Sequence, residues 1–378
     1  MTVFKKTLAV VAGVGALTTL TACSGKEDTG AAAGGPVKVD ASDTACAVST
    51  NTAAAGNVTF EITNKGAKVT EFYLYGEGDR IMGEVENIAP GLSRRLIVEV
   101  AEAGKYQATC KPGMAGSGIR SDFTVTGGAA KANDTNAQKA AATKSYAAYV
   151  ANNITALEEE TAKFVAAVKA GKADEAKADY ARTRIYYERI EPVAEKFGDL
   201  DPAIDVREAD VEAGQKFTGF HRLEKDLWTT GLQPDSGEIA DKLLADVKEL
   251  GTKSKALELT ALDLANGAKG LLDEVATGKI TGEEETFSHT DLWDFQANLD
   301  GSKGAINALR PLLQDKDAAL VSTLDKEFNN VQALLDKQRA GDGFKLYTEL
   351  SKDQVKEFAS AVDALSEPLS KVAEVVAK

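Results

Sequence analysis

Histidine is scarce in this chain: His221 and His289 are the only two in 378 residues. His221 stands in Gly219-Phe220-His221-Arg222-Leu223-Glu224, within helical patterning, so His221 and Glu224 share one helix face. A histidine and a glutamate three apart, met by carboxylates from neighbouring helices, is how bundles hold di-iron and di-manganese ions, although there the glutamate comes first. The spacing alone is weak, because a Glu-rich chain produces it by chance. A partly buried histidine bonded to its own helix is the competing reading. Carboxylate partners are available in Tyr187-Glu188-Arg189-Ile190-Glu191 and in Ser288-His289-Thr290-Asp291-Leu292-Trp293-Asp294. Ser288 and Asp291 also have capping-box spacing, and Glu188 or Glu191 could simply pair with Arg184 or Arg189. The run Glu283-Glu284-Glu285 reads as a solvated loop. Hydrolytic zinc patterns fail: H-E-x-x-H is absent, and Lys225 stands where H-x-x-E-H needs its second histidine.

A second donor set lies nearer the N-terminus. Cys46, Cys110, Glu71, Glu84 and Glu86 fall in a segment without histidine, which excludes a blue-copper centre. Outside the cytoplasm the two cysteines form a disulfide or serve as metal ligands, and both readings stay open.

Two grammars position these residues. Over 38–127, short alternating runs such as Val58–Asn64, Glu71–Tyr75, Leu92–Val100, Gly104–Cys110 and Asp122–Thr126 are separated by Gly and Pro turns. They predict a small antiparallel β-sandwich. A polar, Ala-rich linker follows at 128–140. Over 141–378 the apolar period becomes helical, with runs near 172–197, 205–230, 237–276, 290–314, 316–339 and 352–377 and no convincing strand. The chain is therefore predicted to be multidomain, a small all-β unit followed by an all-α bundle.

Residues 1–22 carry Lys5 and Lys6, then an uncharged stretch of small and apolar residues ending in Leu20-Thr21-Ala22-Cys23. That order fits a lipoprotein signal with Cys23 as the lipidated residue, followed by a Gly/Ala-rich tether over 23–37. The expected location is extracytoplasmic, on the cell membrane through the lipid. The formal charge of −14 becomes −16 once the two signal lysines are removed. So acidic a chain excludes nucleic acid as a partner and suits cations.

Four stretches resemble the EfeO family: Glu86-Asn87-Ile88-Ala89-Pro90-Gly91, Tyr187-Glu188-Arg189-Ile190-Glu191-Pro192, Phe217-Thr218-Gly219-Phe220-His221-Arg222-Leu223-Glu224, and Thr290-Asp291-Leu292-Trp293-Asp294-Phe295-Gln296-Ala297-Asn298. The resemblance spans the mature chain. It implies a cupredoxin-like sandwich joined to an imelysin-like helical domain, in a siderophore-independent iron uptake system. His221 and Glu224 match the family's H-x-x-E metal motif, and Cys46, Glu71, Glu84 and Cys110 match a metal-binding set proposed for its sandwich. The implied cargo is iron, ferrous or ferric, with copper or zinc as further candidates in the sandwich. The implied partners are a membrane iron permease and an extracytoplasmic haem peroxidase. The resulting expectation is a non-enzymatic binder that uses His221, Glu224, Glu188 and Asp291. The alternative is a metal-dependent peptidase on the helical domain.

Overall fold

The computed structural model describes residues 35–127, 137–211 and 214–378. Cys23, the signal segment 1–22, most of the tether and most of the linker lie outside the described residues.

Among the described residues nine strands build the sandwich: β1 (Val37–Ala41), β2 (Cys46–Val48), β3 (Thr52–Ala54), β4 (Gly56–Asn64), β5 (Thr70–Tyr75), β6 (Ile81–Ile88), β7 (Ser93–Val100), β8 (Gly104–Pro112) and β9 (Ile119–Thr126). They form one sheet of order β2-β1-β4-β7 and another of order β3-β9-β8-β5-β6. The expected all-antiparallel pairing is corrected at two places, since β1 runs parallel to β4 and β3 parallel to β9. Strand β1 lies inside the first sheet and β3 at the edge of the second, a placement that local alternation does not reveal. Alternate residues point inward, so Val39, Phe60, Ile62, Phe72, Leu74, Phe123 and Val125 fill the space between the sheets.

Among the described residues ten α-helices follow: α1 (Ala137–Lys169), α2 (Ala173–Glu188), α3 (Leu200–Asp205), α4 (Gly219–Lys225), α5 (Ser236–Ser254), α6 (Ala261–Thr277), α7 (Asp291–Lys316), α8 (Ala318–Asp336), α9 (Lys352–Leu369) and α10 (Val372–Ala377). The long runs expected near 205–230 and 237–276 are each broken. The second divides at Thr260, whose side chain caps α6 in a reciprocal box with Asp263. A two-residue β pairing, Arg339–Ala340 with Gly343–Phe344, corrects the expectation of no strand in this region. Helix α1 packs against α2, α5 and α7, and α6 lies between α7 and the sandwich. Gly301 on α7 allows the close crossing with α2, because a Cβ there would press on the Arg189 backbone.

The two layers share a boundary. Ile97 of β7 joins the helical core, and its carbonyl accepts from Asn266 Nδ2 at 2.9 Å. Asn57 Nδ2 donates to the Ala377 carbonyl at 3.1 Å.

Candidate metal centre

Helix α4 is short, and one residue sets its place. Gly219 has φ +82°, and a Cβ there would overlap the Ile204 carbonyl. Only glycine lets the first turn of α4 lie on the end of α3, which brings His221 beside Asp205. Thr218 Oγ1 reinforces the contact by donating to the Ala203 carbonyl at 3.1 Å. After α4 the helix widens into a π-turn at Asp226–Thr230, a distortion common at functional sites.

His221 is 2 % exposed and Glu224 is fully buried. Glu224 Oε2 lies 3.2 Å from His221 Nδ1, while its Oε1 accepts from the Phe287 and Ser288 backbone N–H groups at 2.9 and 2.7 Å. The opposite ring nitrogen, Nε2, has no hydrogen bond; it stands 3.6 Å from both Asp205 Oδ1 and Glu284 Oε1. Donor atoms of Asp205, His221 and Glu284 lie within 4.8 Å of one another, and so do those of His221, Glu224 and Glu285.

Two buried cations hold the surrounding acids. Arg184, with no exposed surface, pairs with Asp205 and Glu188, meets Glu284 at 3.1 Å and Glu285 at 2.6 Å. Lys279, equally buried, reaches Glu188 at 2.9 Å and Glu191 at 2.7 Å. Asn298 of α7 donates to Glu188 Oε2 and Glu191 Oε2. Both carboxylate oxygens of Asp294 lack a hydrogen bond, although the side chain is 1 % exposed. Thus, among the described residues, Glu188, Asp205, Glu224, Glu284, Glu285 and Asp294 face Arg184, Lys279 and, at the rim, Arg207 as their permanent cations. A buried negative excess of this kind is offset by bound protons or by a cation.

The proton affinities show the strain. Burial and the Arg184 charge disfavour protonated His221, but contacts with Glu224, Glu284 and Asp205 outweigh them and lift its pKa to about 9. Burial pushes Asp205 up to about 6, against the pull of Arg184 and His221. Burial raises Glu285 and Asp294 well above the carboxylate range. Glu284 is held well below it, because Lys279, His221 and Arg207 overcome its burial.

The expected residues are therefore only partly gathered. His221 and Glu224 touch. Glu188 joins them through Arg184, and Asp291 through its Oδ1, which accepts the Glu285 N–H at 3.2 Å. The capping box expected at Ser288 does not form: Ser288 Oγ donates to Glu285 Oε2 at 2.7 Å, and α7 begins after Thr290. The segment Glu283-Glu284-Glu285 is the expected loop, but its solvated reading is corrected, since Glu284 and Glu285 are buried at the centre. Their signal was absent because the helices that cover them are remote in sequence. Asp205 was missed for the same reason.

In the sandwich, Cys46 and Cys110 form a disulfide with Cα atoms 5.4 Å apart. This corrects their expected role as metal ligands, because neither offers a thiolate. The pleat gives a second reason. Cys110 pairs with Phe72 and points into the core, whereas Glu71 and Tyr73 alternate to the outer face, where Glu84 stands opposite Tyr73. Glu84 and Glu86 instead meet Glu195 of the helical region. These three line a cleft of about 250 Å³ with Glu191, Asp201 and Glu274. Burial, Glu71 and the surrounding acids lift the Glu86 pKa to about 8. Glu191, on the cleft wall, contacts Lys279 and so links the cleft with the buried cage.

Comparisons agree with this division. Residues 142–372 match the family model for imelysin, and residues 11–125 match that for a cupredoxin-like domain. The iron uptake system component EfeO of Escherichia coli K12 is 40 % identical over 342 residues, covering 89 % of this chain and 90 % of that protein. The EfeO of Shigella flexneri matches to the same extent. An auracyanin from Roseiflexus castenholzii covers 25 % of this chain and all of its own, with 17 % identity and a TM-score of 0.22, too slight a likeness to carry an argument. On the shared length and domain pair, the chain belongs to the EfeO family, whose named members are components of iron uptake systems.

Proposed function

We propose that this protein is the extracytoplasmic iron-binding component of its uptake system, anchored by lipid at Cys23, which captures iron and passes it to a membrane permease. The domain limits proposed with it are signal 1–22, tether 23–37, sandwich 38–127, linker 128–140 and helical domain 141–378. The observation that carries the binding role is the buried cage around His221, where carboxylates outnumber permanent cations and one imidazole nitrogen has no hydrogen bond. Nitrogen and carboxylate donors together suit borderline and hard first-row ions such as iron. The resident cations Arg184 and Lys279 oppose a bound cation, which keeps affinity modest, as delivery requires. No described helix is long and apolar enough to cross a membrane, consistent with attachment through a lipid. An extracytoplasmic haem peroxidase is the further partner in this reading.

The cage also favours a binder over the alternative metal-dependent peptidase. Its residues are almost wholly shielded, which admits an ion more readily than a polypeptide. Calorimetric titration of ferrous and ferric iron into wild type and His221→Ala tests the central claim; the variant should lose the site, and unchanged binding removes the claim. Casein hydrolysis abolished by chelator and by Glu224→Ala would favour the peptidase.

A further inference from the structure

Three carboxylates meet in the cleft between the sandwich and the helical domain without a counter-charge. Glu84 and Glu86 are two apart on β6, so the pleat turns both to one face. Glu195 comes from the 3₁₀ turn Glu191–Phe197, which joins α2 to α3. Glycine seats that turn, because a Cβ at Gly267 on α6 would overlap the Pro192 carbonyl. One donor oxygen from each of the three acids lies within 4.8 Å of the other two. The nearby cations are engaged elsewhere. Lys196 Nζ lies 2.8 Å from Asp263 Oδ1, Lys269 pairs with Asp273, and Lys111 stands 3.9 Å from Glu71. Among the described residues no Lys, Arg or His forms an ion pair with Glu84, Glu86 or Glu195. The Tyr73 hydroxyl donates to Glu86 Oε1 at 3.2 Å. Glu84 Oε2 and Glu195 Oε2, however, have no hydrogen bond and almost no exposed surface. Buried carboxylate oxygens in that state call for a proton or a cation. Burial and Glu71 lift the Glu86 pKa to about 8, and burial with Asp201, Glu71 and Glu274 raises Glu195 well above the carboxylate range.

We propose that Glu84, Glu86 and Glu195 form a calcium site, distinct from the cage at His221, that clamps the sandwich to the helical domain. The donor set is carboxylate oxygen, with neither imidazole nor thiolate, which suits a hard cation. Calcium takes six to eight oxygens at about 2.3–2.6 Å in flexible geometry, whereas magnesium demands a near-ideal octahedron. Three side chains brought together from two domains supply the flexible kind, each able to bind through one oxygen or two. The cleft of about 250 Å³ leaves room for the waters that complete the shell. Because two ligands come from β6 and one from the helical region, the bound ion ties the two layers directly. The proposal stands apart from the iron-binding role of the cage.

Calorimetric titration of Ca(II) into the metal-free full chain tests it, with Mg(II) as the comparison. Mg(II) should bind at least about tenfold more weakly. Glu84→Gln and Glu195→Gln keep the side-chain shape, and each should weaken Ca(II) about tenfold or more. In wild type Ca(II) should raise the melting temperature and slow amide hydrogen exchange in both β6 and the turn 191–197. Glu195→Gln should lose both effects. Without calcium that variant should melt no lower than wild type, because it removes a charge that has no partner; a lower melting temperature would overturn the account of an unpaired acid. No Ca(II) binding, or binding untouched by either substitution, overturns the site. Loss in Glu84→Gln alone would put the ion on the sandwich and overturn the clamp, and Mg(II) bound as tightly would overturn the assignment to calcium. His221→Ala should bind Ca(II) as wild type does; loss there would move the ion to the cage and overturn the proposal, while leaving a metal-binding cage in place.

Discussion

Binding of ferrous iron should expel a proton from His221, and the structure sets its size. With a pKa of about 9, the imidazole is doubly protonated at pH 7, so a cation at this ring must compete with a proton. Two units between pH 7 and that pKa correspond to a hundredfold loss of apparent affinity, about 3 kcal/mol. Affinity should therefore rise about tenfold per pH unit from 6.5 to 8 and level off above 9. Below pH 6 the slope should steepen as Asp205, with its pKa of about 6, takes up a proton as well. The assay is anaerobic calorimetry at pH 7.0 in two buffers of different ionisation enthalpy, which counts protons released; the expected count is near one. The metal-free fold should respond in the opposite sense. A folded pKa above the ordinary histidine value of 6.5 means that the stabilisation is complete below pH 6.5 and is lost as pH rises through about 9. A flat affinity between pH 6.5 and 8 with no proton released would refute the argument, because His221 would then be neutral or not involved.

Lys279→Met should destabilise the fold by about 3–5 kcal/mol at pH 7, since Glu188, Glu191 and Glu284 lose a wholly buried counter-charge. Urea denaturation should show the gap narrowing at pH 5, because in the variant Glu188 and Glu284 lose the Lys279 charge that holds them below the ordinary carboxylate value and can then take up protons; a gap that widens would contradict the ion-pair account. Replacing both Cys46 and Cys110 by serine should cost about 2–5 kcal/mol, as expected for a bridge closing a separation of 64 residues. Ferrous binding at His221 should survive that change, and its loss would return the cysteines to a role in metal binding.

The sandwich and bundle were legible because period-two and helical patterns are local properties. Strands such as Gly56–Asn64 and Thr70–Tyr75 carry their inward faces in their own alternation. Strands β1, β2, β3 and β6 were not recognised: the first three have only three to five residues, and β6 is half-buried along nearly its whole length, so neither gives a clean alternation. His221 and Glu224 were legible because one helical turn separates them. Glu284 and Glu285 were not, because an acidic run is ordinarily solvated, and only the covering of α2, α4 and α7 reverses that expectation.

By itself, then, the sequence determined the two fold classes, the order of the domains, the family signatures and the one histidine with a carboxylate on its helix face. Tertiary structure decided which acids surround that histidine, that two buried cations balance them in part, and that the cysteines are joined. It also decided that Glu71 and Glu84 turn away from the disulfide towards the helical region. The physical reason is range. Pattern and propensity act over a few residues, whereas burial, charge pairing and the facing of a pleated sheet depend on groups brought together from about a hundred residues apart, as Arg184 and Glu284 are.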